Sequence, residues 1–292
     1  MSDEAVPQGD VPEAAAPSPA PDGYQPDEYH RHDEGFSCAD RDSYVFAVGR
    51  IACRFPDPGV EKEFTQVVGG SKTRGKTDDQ VLREVVGRPE NRYLARQLQF
   101  VLIIQGVETY TVVPRFPEDY EKLIDALRPQ PSPLDLDVVI GVRVPSGGSC
   151  GGLALPVVEF YQLYSFSRPV LFDAIEKPDG MSAKRFRATA DAVLTKILQI
   201  TENAGATAPD RAANYVACRY EAVYLKTFEA FAADYALTSI EVGPAAVGGD
   251  QGVMNFVVSY TGRKTDITER YAVQVATRHM NPYLLTHLGP SL

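Results

Sequence analysis

Apolar positions recur along this chain with two different periods, and the switches between them mark out its elements. Tyr44–Phe55 is rich in β-branched and aromatic residues and reads as a strand. Val60, Phe64, Val67 and Val68 then fall at helical spacing. Thr77-Asp78-Asp79-Gln80 is a capping-box pattern, which predicts a helix carrying Val81, Leu82, Val85 and Val86. Asn91–Leu98 predicts another turn or two of helix. Phe100–Ile104 and Thr109–Val113 flank Gly106, the pattern of an antiparallel hairpin with a short loop. Pro117–Leu127 reads as a helix stopped by Pro129. Leu136–Val144 is an apolar run suited to a buried strand, Val157–Phe166 a further strand, and Leu171–Ile175 a short helix.

Lys177-Pro178-Asp179-Gly180 is turn chemistry and the best candidate domain boundary. Beyond it Ser182 is placed to cap a long helix whose apolar face holds Phe186, Ala190, Val193, Leu194, Ile197 and Leu198. Asn203–Gly205 is expected to end that helix, with Gly205 as a left-handed cap. Thr207 starts a second helix with Pro209 and Asp210 in its first turn, and a third covers about Glu221–Tyr235. Leu237–Val242, Val253–Tyr260 and Arg270–Ala276 read as strands, with Gly248, Gly249 and Gly262 in the turns. The aromatic stripe Tyr215, Tyr220, Tyr224, Phe228, Phe231 and Tyr235 is expected to be core, or else a dimer surface.

The pattern predicts an α+β chain of two small mixed domains, each a short antiparallel sheet packed with helices. The first spans 42–178 and the second 179–292, the latter a helical segment followed by its sheet. Residues 1–41 lack apolar periodicity and are rich in Pro, Ala, Asp and Glu, so they are expected to form a disordered tail.

Charge sharpens that division. Residues 1–40 hold ten acidic side chains and one basic one, Arg31, leaving 29 acidic and 28 basic side chains in the remainder. The acidic tail argues against nucleic acid and anionic membrane as partners. No apolar run approaches the ~18–20 residues of a membrane span, and the acidic, Pro/Ala-rich start is unlike a secretory leader. Four scattered cysteines, Cys38, Cys53, Cys150 and Cys218, predict reduced thiols and a cytoplasmic protein.

Three chemical motifs invite functional readings. Gly70–Thr77 matches the phosphate-loop pattern G-x-x-x-x-G-K-T, but it follows a predicted helix rather than a strand, and Thr77 is already placed as a helix cap. The glycine-rich loop Gly147–Gly152 presents Cys150 as a candidate reactive thiol, although the only histidines outside the tail are the distant His279 and His287. Cys53, Cys150, Cys218 and His279 match no local metal-ligand spacing, so no metal and no cofactor is predicted. No residue set predicts catalysis. Two polar groups stand out instead. Asn91, Arg92, Tyr93 and Arg96 lie on a short helix, where guanidinium forks suit a carboxylate or an acidic peptide. The competing expectation is ion pairing within the chain, to Glu61, Glu63 or Glu108. Asn203, Asn214, Arg219 and Tyr220 form a second set among apolar helices, where buried polar networks usually fix a fold.

Three long stretches, Tyr44–Phe64, Glu90–Tyr110 and Asn203–Tyr224, carry a family resemblance. Together they resemble the non-protease, C-terminal part of the cyanobactin maturation proteases, the PatG-like proteins. The resemblance covers about residues 42–290: 42–176 are similar to the PatG domain, and 180–290, including Tyr260–Glu269, to the C-terminal domain of unknown function. Members take part in maturing ribosomally made peptides, and their peptide-bond chemistry belongs to a subtilisin-like domain that this sequence does not contain. The resemblance therefore transfers no catalytic residue. It implies an accessory protein acting with a partner, whether a subtilisin-like protease, a modifying enzyme or a precursor peptide. Asn91, Arg92, Tyr93, Arg96, Asn214 and Arg219 are the candidate contacts. A structural module that forms homodimers or scaffolds an assembly, and an enzyme using Cys150, are the alternatives.

Overall fold

The computed structural model describes residues 43–69, 75–144, 155–178, 181–245 and 252–291. The acidic tail, Cys38, the Cys150 loop, Gly70–Arg74 and Gly248–Gly249 lie outside the described residues.

The fold is α+β, with eight helices and two five-stranded sheets among the described residues. Five strands, β1 (Tyr44–Arg54), β2 (Gln99–Ile104), β3 (Val107–Pro114), β4 (Asp135–Val144) and β5 (Val157–Ser167), close into a barrel in the order β1-β2-β3-β5-β4. Neighbours are antiparallel except β3 and β5, which run parallel from Thr111↔Val157 to Pro114↔Phe160. Alternation along each strand predicts the strands, but neither the closure nor the parallel pair.

Helices α1 (Pro58–Val68), α2 (Asp78–Val86), α3 (Arg92–Gln97) and α4 (Tyr120–Ala126) belong to the barrel half. Their starts obey local rules. The Asp57 carboxylate accepts from the N–H groups of Gly59 and Val60, and Thr77 forms the predicted capping box with Gln80. The hairpin between β2 and β3 turns on Gln105 and Gly106, both at positive φ (49° and 85°), the backbone of a tight primed turn that suits the strand twist.

Helices α5 (Arg168–Asp173), α6 (Ala183–Leu198), α7 (Ala208–Arg219) and α8 (Ala222–Ala232) follow. Ser182 caps α6 and Thr207 forms a second capping box, with Asp210, at the start of α7. The second sheet holds β6 (Tyr235–Pro244), β7 (Val253–Gly262), β8 (Thr268–Ala276), β9 (Tyr283–Leu284) and β10 (Gly289–Pro290). Its order is β10-β8-β7-β6, with β9 also on β8.

Two cores result, and β1 and β4 serve both. Val45, Ala47, Ile51 and Val139 pack with α1–α4 and the rest of the barrel. Phe46, Val48, Leu136, Val138 and Ile140 point the other way and pack with α6–α8 and the second sheet. β4 is accordingly buried along its first seven residues, as its unbroken apolar run predicts.

β1 changes partner half-way. Tyr44–Gly49 pair with β4, and Arg50–Arg54 pair with β2. Each half therefore leaves one ladder edge unpaired, and buried backbone groups need partners. Side chains and a backbone carbonyl supply them. Beside the first half, the Phe46 N–H donates to the Gly205 carbonyl (2.9 Å), and the Asn214 amide donates to the Phe46 carbonyl (2.8 Å). Asn203 and Asn214 exchange hydrogen bonds with each other, at 2.8 and 3.0 Å. Beside the second half, the Ile51 N–H donates to the Asp137 carboxylate (2.7 Å), which also accepts from Ser165 (2.7 Å) and Arg128 (3.0 Å).

Gly205 differs from its predicted role. α6 stops at Leu198 with Gln199 as its cap, so Gly205 does not end that helix. It is left-handed (φ 75°), and a Cβ there would lie 2.4 Å from the Phe46 carbonyl oxygen. Close approach to β1 is what demands glycine.

Candidate functional site

A cleft of about 490 Å³ lies between one end of the barrel and the helical layer. Five elements build it. β1 brings Val48 and Arg50, the β2–β3 turn brings Gln105, the start of β4 brings Asp135 and Leu136, and α5 and α6 bring Arg168 and Leu198. The asparagine pair that seals β1, Asn203 and Asn214, also reaches it. The turn is fixed against the helices because the Gln105 amide donates to the carbonyls of Leu198 (2.7 Å) and Ile200 (3.2 Å). It thereby satisfies groups that the end of α6 leaves free.

The charges in the cleft differ in how they are held. Arg168 uses Nη1 for Asp191 (2.8 Å) and Thr195 (3.0 Å) on α6. Asp135 accepts from the Ser132 N–H (2.7 Å) and lies 3.6 Å from Arg128. Arg50 is exposed, and no hydrogen bond or ion pair engages it among the described residues. Next door, Asp137 is fully buried. Burial raises its carboxyl above the ordinary range, against the hydrogen bonds from Ile51, Ser165 and Arg128 that favour the charged form.

The second feature is an edge. Among the described residues, β6 is paired with β7 along one side only. A register shift between Leu237 and Ser239 breaks its ladder, and there Lys196 Nζ donates to the carbonyls of Leu237 (3.2 Å) and Thr238 (2.8 Å).

The two predicted polar groups lie in different layers. Asn91 is buried and donates to the Val85 carbonyl (2.9 Å), while Arg92 donates to the Val86 carbonyl and pairs with Glu121, so both hold the end of α2. Tyr93 is half-exposed, and burial together with a hydrogen bond to Glu63 raises its phenol. Arg96 is exposed, with no partner among the described residues. Asn214 belongs to the β1 seam. Arg219 lies over the Tyr164 ring at 4.7 Å, beside a smaller cavity of about 160 Å³ that Cys218 also lines. The Tyr220 hydroxyl accepts from the Leu288 N–H (2.8 Å) and pins the C-terminal segment.

The phosphate-loop reading does not hold on the residues described. α1 precedes the motif in place of a strand, Thr77 is a helix cap, and Lys76 pairs with Glu84. Two of the four candidate zinc ligands are also apart. Cys53 packs on the barrel core and Cys218 on the other, and burial pushes both thiols up to about 12. The carbonyl of His279 accepts from Arg211, and its ring stacks on Tyr283.

Sequence reasoning passed over Arg211, Asp137 and Arg128. Arg211 is only 2 % exposed, donates to the carbonyls of Thr277 and His279, and lies 5.3 Å from the Tyr44 ring centre. It fastens α7 to the end of β8 and the start of β1. A signal was present: Arg211, Asn214 and Cys218 share one face of α7, interleaved with Ala212, Ala213, Val216 and Ala217.

A family model described as the PatG Domain matches residues 44–240, from β1 into β6. The chain belongs to the PatG-domain family. A solved structure titled "PatG Domain of Unknown Function" matches 86% of this chain and 99% of its own, with a TM-score of 0.66 and 19% identity. That likeness establishes a shared fold. No curated protein matches the chain. No helix among the described residues of this PatG-domain chain is long and apolar enough to cross a membrane.

Proposed function

We propose that this chain is a non-catalytic binding module that takes an extended peptide as an added strand on β6. One observation carries the reading: Tyr235–Pro244 is a ten-residue strand that, among the described residues, pairs with no strand but β7. A strand paired on one side leaves alternate N–H and C=O groups free, which is a template for another strand. Lys196 and the register shift blunt the first part of that edge. Ser239–Gly243 has no such cover among the described residues. Its side chains neither repel a guest by a run of charge nor block it with proline before Pro244.

In the setting of peptide maturation, the guest is a precursor peptide or an unfolded segment of a protease or modifying enzyme acting in trans. Such peptides are made in the cytoplasm, the compartment this reading predicts. A second copy of the chain is the competing guest, because one open edge pairs with another by the same hydrogen bonds.

Calorimetry with precursor peptides of the cyanobactin type tests the reading. N-methylating alternate peptide residues removes ladder donors without altering the protein. The expected result is binding that weakens at least about tenfold on methylation, a loss of roughly 1.4 kcal/mol. Binding that ignores methylation, or no binding by any precursor, contradicts it. A dimer in light scattering that persists with saturating peptide favours self-pairing.

A further inference from the structure

We propose that the cleft between the barrel and the helical layer is a carboxylate site, which takes the free C-terminal end of a peptide through Arg50 and Arg168. The two arginines come from separate elements, β1 and α5, and both line the cleft. Arg168 is held from behind. Its Nη1 is committed to Asp191 and Thr195, while Nε is buried without a hydrogen-bond partner and no hydrogen bond engages Nη2 among the described residues. A guanidinium anchored at Nη1, with Nη2 unused, holds one charged donor in a fixed direction for a carboxylate oxygen. Arg50 adds a second cation that no carboxylate of the chain engages among the described residues.

The remaining polar groups narrow the ligand. Asp135 is the one acid lining the cleft among the described residues, and it is tied to the Ser132 N–H and to Arg128. Its charge is therefore offset from outside the cleft, and Arg50 is left unbalanced in a protein of net charge −10. Gln105, Asn203 and Asn214 are spent on internal hydrogen bonds, so recognition of a polar group falls to the arginines. Val48, Leu136 and Leu198 supply apolar wall. One anionic head beside an apolar body is the chemistry of a C-terminal residue with an aliphatic side chain. A small dianion such as phosphate matches the arginines but leaves the wall unused.

This inference does not rest on the β6 reading, because no residue of β6 lines the cleft. The probes are acetyl-Ala-Leu with a free carboxylate, the same dipeptide as its C-terminal amide, and inorganic phosphate. Each is titrated into the full chain and followed by NMR. The free acid is expected to shift the amide signals of Gln105 and Gly106 and to bind at least about tenfold more tightly than the amide. Arg50→Ala should lose that preference without lowering the melting temperature. Arg168→Lys should also lose it, because it keeps a charge but removes the guanidinium that Asp191 and Thr195 hold in place, whereas Arg219→Ala should leave it intact. Equal binding of acid and amide, phosphate binding as tight as the acid, an unaffected Arg50→Ala, or no binding of the acid at millimolar concentration would each overturn the proposal.

Discussion

Asp137 does the work of a missing strand. Where β1 leaves β4, the Ile51 N–H has no ladder partner and takes the Asp137 carboxylate instead, with Arg128 and Ser165 completing the acceptor's shell. Asp137→Ala would take the nearer of two carboxylates from the largely buried Arg128 guanidinium, and the only side-chain acceptor from the buried Ile51 N–H, at once. Breaking such a pair costs about 3 kcal/mol, so urea unfolding should show a midpoint lowered accordingly with an unchanged slope. A loss below about 0.5 kcal/mol, the scale of an ordinary surface change, would mean that the edge does not need closing. The sequence hides this residue for a plain reason. Asp137 looks like one of two polar positions opening an apolar strand, and its key contact is 86 residues away.

At the scale of elements, what reads correctly from sequence is what local chemistry decides. Thr77 with Gln80, Ser182, and Thr207 with Asp210 cap helices as predicted, and Gln105-Gly106 turns the hairpin. Closure of the barrel and the parallel β3–β5 pair depend on contacts that no local period encodes. Gly205 lies between these cases: its left-handed backbone is legible, but its purpose is to let the α6–α7 connection touch β1. Gly205→Ala meets both a positive φ and a carbonyl at 2.4 Å. It should lower stability by more than about 1 kcal/mol and speed hydrogen exchange at the Phe46 amide. Normal protection at Phe46 in that variant would show that the seam tolerates a side chain.

The candidate site was only partly legible. Sequence separates Asn214 and Arg219 from the α3 group, and the structure keeps them in separate layers. It also shows where the first-choice contacts spend their donors: Asn91 on Val85, Arg92 on Val86 and Glu121, Asn214 on Phe46. Arg50, which heads the cleft, looked like one strand residue among many. What singles it out is the company it keeps in space.

At the scale of the molecule, β1 and β4 bind two cores into one framework, and among the described residues that framework leaves the long strand β6 with an open side. If the chain works by lending that side to a guest, the guest must cover backbone amides there. Hydrogen exchange of the full chain, with and without a saturating precursor peptide, reads those amides directly. Slowed exchange is expected in Ser239–Gly243, with β8 and the barrel strands unchanged. Peptide that binds while the β6 amides exchange at their free rate would contradict it.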